Sequence, residues 1–261
     1  MDLRTLRAFI FDLDGCVYTG NALVPGVQAF LQRLRQKGRR ILFLTNNSRE
    51  GGEELQAKLT RLGIPALREE ILSAVEVVGS FLRDRFGSAR VLAIGAETLR
   101  RLLTESGHFL VPPEAYRDAE VVVVGHDFDF DYRKLAAASR AVASGAAFVA
   151  VNADPRLPVE EGEFCPGCGA LVEAVAAAAG IRPEIVGKPM PHIFRAALAR
   201  LALSPEEAAM VGDSLVSDVR GAQAVGLRTI WLAPANAIAS EAQPDLTIHA
   251  FTQLTGQLWL Q

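Results

Sequence analysis

The chain is poor in cysteine, in lysine and in long apolar runs. Its three cysteines, Cys16, Cys165 and Cys168, are too few for the disulfide framework of a secreted protein of this length. They suit a reducing compartment. Apolar runs such as residues 121–124 fall far short of the ~20 residues a bilayer-crossing helix needs. Asp12 and Asp14 stand where a signal peptide would carry its apolar core. The expectation is a cytoplasmic protein with no membrane partner. Positive charge is not in excess either: the formal net charge is −3 and the isoelectric point is near 5.9. No cluster of Lys and Arg interleaved with aromatics marks a nucleic-acid surface, so no nucleic-acid partner is expected.

What is present is an ordinary globular composition, half hydrophobic and 22% charged, in a chain long enough for two modest cores. Short apolar runs alternate with helical patterns throughout, which predicts an α/β fold with parallel, Rossmann-like sheets. Strands are expected at residues 8–11, 41–44, 91–94, 121–124, 148–151, 184–186, 209–211 and 229–232. Helices are expected at 25–37, 53–62, 97–105, 132–144, 169–179, 192–201 and 216–225. Ser73 with Glu76 three residues later reads as a capping box opening a further helix that ends before Gly87. The predicted domains are a core made of residues 1–79 and 183–261, with residues 80–182 inserted as a second α/β domain.

Three predicted strands end in polar residues: Phe9-Ile10-Phe11-Asp12, Leu42-Phe43-Leu44-Thr45 and Ala209-Met210-Val211-Gly212-Asp213. Ligands of open α/β sheets bind beyond the carboxyl ends of the strands, so these groups are expected to converge. Asp12 and Asp14, in Asp-Leu-Asp-Gly, are close enough to repel, and a divalent cation would relieve the repulsion. An all-oxygen donor set including Asp213 suits Mg²⁺. Lys188, in Gly187-Lys188-Pro189, is one of only four lysines, and a compact ammonium there would offset phosphoryl charge. Thr45, with Asn46 and Asn47 behind it, offers a hydroxyl and amides to phosphate oxygens.

The segments Asp12-Leu13-Asp14-Gly15, Thr45-Asn46-Asn47, Gly187-Lys188-Pro189 and Gly212-Asp213-Ser214 through Ser217-Asp218, in that order, resemble the four motifs of the haloacid dehalogenase superfamily. The long interval between Thr45 and Lys188 resembles the NagD-like and p-nitrophenylphosphatase-like subgroup, in which a large α/β cap is inserted there. Val124-Gly125-His126-Asp127, Val151-Asn152-Ala153-Asp154 and Pro166-Gly167-Cys168-Gly169-Ala170 are similar to cap segments of that subgroup.

The resemblance implies a magnesium-dependent phosphatase acting on a small phosphorylated metabolite. Asp12 would be the nucleophile, forming an aspartyl-phosphate, and Asp14 the general acid and base. Mg²⁺ would be held by Asp12, the Asp14 main-chain carbonyl and Asp213. Thr45, the Asn46 backbone and Lys188 would bind phosphate oxygens, and Asp218 would orient Lys188 or a metal-bound water. Substrate specificity would fall on the cap loop containing Asn152, Arg156, Leu157 and Glu160. Caps of this type can pair, so a homodimer through the cap is an expectation. Cys16 departs from the family pattern, where Thr or an aliphatic residue is usual; its effect should be on packing.

Two other functions fit parts of the pattern. A phosphoryl-accepting receiver also combines Asp, a hydroxyl residue and Lys on a parallel sheet, though motif order and length disfavour it. A phosphate-ligand-binding protein without turnover would keep the same site. Cys165-Pro-Gly-Cys168 lacks a second ligand pair for zinc, which leaves it as a turn. The four histidines, His108, His126, His192 and His249, read as surface or capping residues.

Overall fold

The structure, a computed structural model, describes residues 2–158, 163–235, 237 and 242–257. The chain forms two compact units. The first comprises residues 1–45, 52–72 and 188–261, and the second residues 46–51 and 73–187.

The first unit is built on a six-stranded sheet ordered Leu246–Ile248, Arg228–Leu232, Ala208–Gly212, Ala8–Phe11, Arg40–Thr45 and Ile71–Ser73. Ala8–Phe11 pairs parallel with Ala208–Gly212 on one side and Arg40–Thr45 on the other. The chain first winds outward from Ala8–Phe11 through Arg40–Thr45. It later returns to lay Ala208–Gly212, Arg228–Leu232 and Leu246–Ile248 on the opposite side. The winding therefore reverses between Ala8–Phe11 and Ala208–Gly212, and such a reversal opens a crevice at the carboxyl ends of the strands.

Ala8–Phe11 is buried along its whole length, as a central parallel strand covered on both faces must be. Its aromatic residues anchor the core. Phe30, from the helix Val27–Gln36, meets Phe9 edge-on at 6.0 Å and stacks on Phe251 at 5.7 Å, and Phe11 lies 6.0 Å from Phe30 and 6.2 Å from Phe43.

The second unit has a five-stranded sheet ordered Glu184–Ile185, Ala147–Ala150, Val121–Val124, Arg90–Ile94 and Phe109–Leu110, parallel at every pairing. Helices Tyr132–Ala143 and Cys168–Ala179 cover it with Ala137, Ala138, Val172 and Val175. Small alanines let these helices lie close to the valine-rich sheet. The boundary falls earlier than the sequence suggested. The capping-box helix, Ala74–Phe86, sits in the second unit, where the His108 ring lies 3.0 Å from the Gly79 carbonyl.

His108 and His126 are buried, at 3% and 4% exposure, which corrects their reading as surface groups. The His108 ring accepts from the Ala89 amide at Nδ1 (3.3 Å), so Nε2 carries the proton and donates to the Gly79 carbonyl. It ties a helix to a strand and needs no solvent.

The helix expected at 216–225 is instead a wide turn, Leu215–Arg220, followed by the short helix Gly221–Gln223. Val219 N–H donates five residues back to the Ser214 carbonyl at 3.2 Å. Bulged turns of this kind recur at functional sites, and this one carries Asp218. Strands Ile71–Ser73 and Leu246–Ile248 and the hairpin Arg156–Pro158/Phe164–Pro166 were not among those predicted, being too short for periodicity to register.

Phe30→Ala is expected to destabilise the first unit by about 3–5 kcal/mol, the range for emptying an aromatic core position. Phe109→Ser, on a side chain 66% exposed, should change stability by no more than about 0.5 kcal/mol. Urea denaturation followed by tryptophan fluorescence and circular dichroism measures both.

Candidate active site

The carboxyl end of Ala8–Phe11 leads straight into Asp12, whose N–H donates to the Val211 carbonyl at 2.9 Å and so extends the sheet by one residue. The chain then winds tightly around the Leu13 carbonyl, which accepts from the N–H groups of Val17 (2.8 Å) and Tyr18 (3.1 Å). Gly15 takes φ +89°, and a Cβ there would collide with the Asp213 carboxylate. Glycine is required both by backbone sign and by space.

Asp12 is 7% exposed and Lys188 3%. The Lys188 ammonium lies 2.5 Å from Asp12 Oδ1 and 2.7 Å from Asp218 Oδ1. Asp218 is fully buried, and its other oxygen accepts from the Ser214 N–H at 3.0 Å. Gly212 allows this: a Cβ there would overlap the Asp218 carboxyl group. The wide turn thus folds Asp218 back against its own strand end and aims it at Lys188. Both Asp218 oxygens are engaged, which suits it to holding the lysine. Asp213 is partly exposed, and its main-chain carbonyl accepts from Trp231 Nε1 at 2.8 Å.

One carboxylate oxygen each from Asp12, Asp213 and Asp218 can be chosen so that all three lie within 4.8 Å of one another. Among the described residues this is the one such cluster of three or more acidic, histidine or cysteine side chains. With all three ionised, three negative charges face one ammonium, leaving two in excess. Burial first, then the neighbouring Asp218 and Asp213 charges, push Asp12 well above the usual carboxylate range against the pull of Lys188. Asp213 is pushed up to about 6 by burial and by Asp218. Burial alone would lower Lys188, but the Asp12 and Asp218 carboxylates outweigh it and hold the ammonium protonated. A hard divalent cation fits this all-oxygen, doubly negative donor set.

Thr45 ends its strand 3% exposed. Its strand is in parallel register with Ala8–Phe11, Phe43 opposite Phe11, so Asp12 and Thr45 leave the same end of the sheet. Asp14 is exposed, with Tyr18 Oη at 3.5 Å from its Oδ2.

Asn46 belongs to the second unit, where its Nδ2 donates to Asp154 at 3.1 Å and its carbonyl accepts from Asn152 Nδ2 at 2.6 Å. Asn152 Oδ1 accepts from the Asp154 N–H at 3.0 Å. Both ends of the Asn152 amide are therefore engaged in fixing this loop. Asn47 likewise closes its own turn, accepting from the amides of Arg49 and Glu50. Arg156 and Leu157 lie on the hairpin Arg156–Pro158/Phe164–Pro166, Arg156 exposed with its guanidinium 4.2 Å above the Phe164 ring. Glu160 lies outside the described residues.

Sequence reasoning missed Trp231, which holds the Asp213 main chain from 18 residues away, and Tyr18. Tyr18 lies four residues from Asp14, and an aromatic there could have been noticed. Nothing in the sequence linked Trp231 to Asp213.

Comparison with known proteins gives the family. A family model described as haloacid dehalogenase-like hydrolase matches residues 9–108, and a second, HAD-hydrolase-like, matches residues 185–254. An acid sugar phosphatase of Staphylococcus aureus is 35% identical over 87% of this chain and 86% of its own length. The chain belongs to the haloacid dehalogenase-like hydrolases. Among solved structures, the 4-nitrophenylphosphatase of Thermotoga maritima superposes with a TM-score of 0.90 at 27% identity, covering 99% of both chains. NagD from E. coli K-12 superposes with a TM-score of 0.86 at 27% identity, covering 95% of this chain and 98% of that one. The α/β fold is that of the NagD and p-nitrophenylphosphatase members of the family. No helix among the described residues is long and apolar enough to cross a membrane.

All three cysteines are free thiols. Cys16 is buried with its thiol 3.5 Å from the Val211 carbonyl. Burial pushes Cys168 up to about 12, and only Cys165 is partly exposed. Iodoacetamide at pH 8 is expected to alkylate Cys165 alone in the folded protein, and all three after denaturation, as read by intact and peptide mass spectrometry.

Proposed function

We propose that the chain is a magnesium-dependent phosphatase that hydrolyses small phosphomonoesters through an aspartyl-phosphate on Asp12. The observation that carries this reading is the buried Asp12–Lys188–Asp218 chain of contacts at 2.5 and 2.7 Å beside Asp213, at the sheet's winding reversal. The phosphatases among the relatives support it.

Asp12 attacks phosphorus, and the bond from phosphorus to the ester oxygen breaks. Asp14, exposed and two residues on, gives its proton to the departing alcohol. It then takes one from the water that cleaves the acyl-phosphate, which returns Asp12 and releases inorganic phosphate. Lys188 neutralises phosphoryl oxygens, and Asp218 keeps its ammonium charged and aimed. Thr45 offers its hydroxyl, and Asn46 its backbone, to the remaining oxygens. Asp12, Asp213 and the Asp14 carbonyl would hold Mg²⁺, which draws charge from the transferring phosphoryl group. Arg156 and Leu157 on the second unit's hairpin are proposed to read the organic part of the substrate, with Asn152 shaping the loop that carries them. The name of the S. aureus relative favours sugar phosphates within that class.

Asp12→Asn is expected to lower release of phosphate from p-nitrophenyl phosphate by at least about a thousandfold, since the carboxylate that forms the covalent intermediate is gone. Stoichiometric phosphorylation of the parent without turnover would instead identify a phosphoryl acceptor.

Mg²⁺ is also expected to raise the melting temperature, in line with about 2.7 kcal/mol of stabilisation at a hundredfold excess over its dissociation constant. Asp213→Asn should abolish most of that rise. Differential scanning fluorimetry reads this without reference to activity, and an unchanged response in the variant would remove Asp213 from the metal site.

A further inference from the structure

Tyr18 is fully buried, although it lies only four residues from the exposed Asp14. Its main chain is pinned at both ends: its N–H donates to the Leu13 carbonyl at 3.1 Å, and its carbonyl accepts from the Gly15 N–H at 2.8 Å. This closed turn brings the ring back beside the Asp14 side chain, with the Tyr18 hydroxyl 3.5 Å from Asp14 Oδ2. Lys58, on the helix Gly52–Arg61, sets its ammonium over the face of the same ring, 3.9 Å from the centre. Tyr18, Asp14 and Lys58 all belong to the first unit.

The contacts act on one another. A cation over an aromatic ring is held by the ring's electron density, and its pull on that density makes the phenolic O–H a stronger donor. A separation of 3.5 Å is long for an O–H···O bond, but hydrogen bonds to catalytic groups are often drawn shorter when substrate binds. The Tyr18 ring is packed into the core of the first unit and cannot swing away. The exposed Asp14 side chain can turn to meet it.

We propose that Tyr18 is a positioning residue for Asp14, its hydroxyl holding the carboxyl group in the orientation from which the proton passes to the ester oxygen of the substrate. This rests on the reading of Asp14 as the general acid. As the bond from phosphorus to the ester oxygen breaks, the proton moves from Asp14 to that oxygen and leaves Asp14 a carboxylate. A hydrogen bond to an ionised acceptor is roughly twice as strong as one to a neutral acceptor, so the Tyr18 contact strengthens as the proton departs. Tyr18 keeps its own proton throughout. Esters whose alcohol most needs a proton gain most.

The test compares two substrates of similar size on the full-length protein with Mg²⁺. One is p-nitrophenyl phosphate, whose nitrophenolate leaves readily without a proton; the other is benzyl phosphate, whose alcohol must be protonated as it leaves. Tyr18→Phe keeps the ring and removes only the hydroxyl. Its kcat/KM is expected to fall at least about fivefold further for benzyl phosphate than for p-nitrophenyl phosphate, a part of the roughly hundredfold or more that a general acid supplies. Equal losses on the two substrates, as a merely structural role would give, or no loss on either, overturn the proposal. Asp14→Asn separates this from the reading beneath it. If Asp14→Asn discriminates between the substrates and Tyr18→Phe does not, Tyr18 alone is overturned; if Asp14→Asn does not discriminate, both are. Should Tyr18→Phe fail to fold by circular dichroism, Lys58→Gln decides: the same ratio is expected to shift at least about twofold in the same direction, and an unchanged ratio overturns the proposal.

Discussion

The acidic end of the sheet depends on one ammonium placed between two buried carboxylates. Isolated, any of these charges would be costly to bury; together Lys188, Asp12 and Asp218 share contacts at 2.5 and 2.7 Å. The arrangement is deliberately unbalanced. With Asp213 alongside, negative charge exceeds positive by two; burial first, and then the neighbouring carboxylate charges, hold Asp12 and Asp213 above the ordinary carboxylate range. An all-oxygen site with such an excess of negative charge suits a hard divalent cation. The local backbone serves the same constraint: Gly15 and Gly212 each leave room for a carboxylate where any side chain would intrude.

Much of this was legible in the sequence because it is local. Asp12, Thr45 and Asp213 each follow directly on an apolar run, and a parallel sheet brings the ends of such runs to one side whatever lies between them. The strands themselves are buried on both faces and so read as continuous apolar segments. Lys188 was legible for a different reason, its scarcity in an arginine-rich chain.

What escaped is what depends on tertiary contact. The residues 215–220 have a helical pattern, yet they form a wider turn because Asp218 folds back to the Ser214 amide and Lys188. The helix Ala74–Phe86 could be counted with either unit until its packing was known. Trp231 binds the Asp213 carbonyl across two strands, and no spacing rule reaches that far. His108 read as a surface residue because nothing in the sequence shows that a helix and a strand meet over its ring.

The two ends of the sheet differ in charge for one topological reason. In a parallel βα arrangement every strand runs the same way and every covering helix runs back. Helix C-termini, with their partial negative charge, therefore collect where the strands begin. Arginines are favoured there, and Arg35 and Arg200 sit in the last turns of their helices. The opposite end gathers helix N-termini, which favour negative charge, and there the acids cluster around Lys188. At the other end the guanidinium groups find carboxylate and carbonyl partners within the fold. Winding separates the two kinds of charge, and the side chains sharpen what the backbone has already begun.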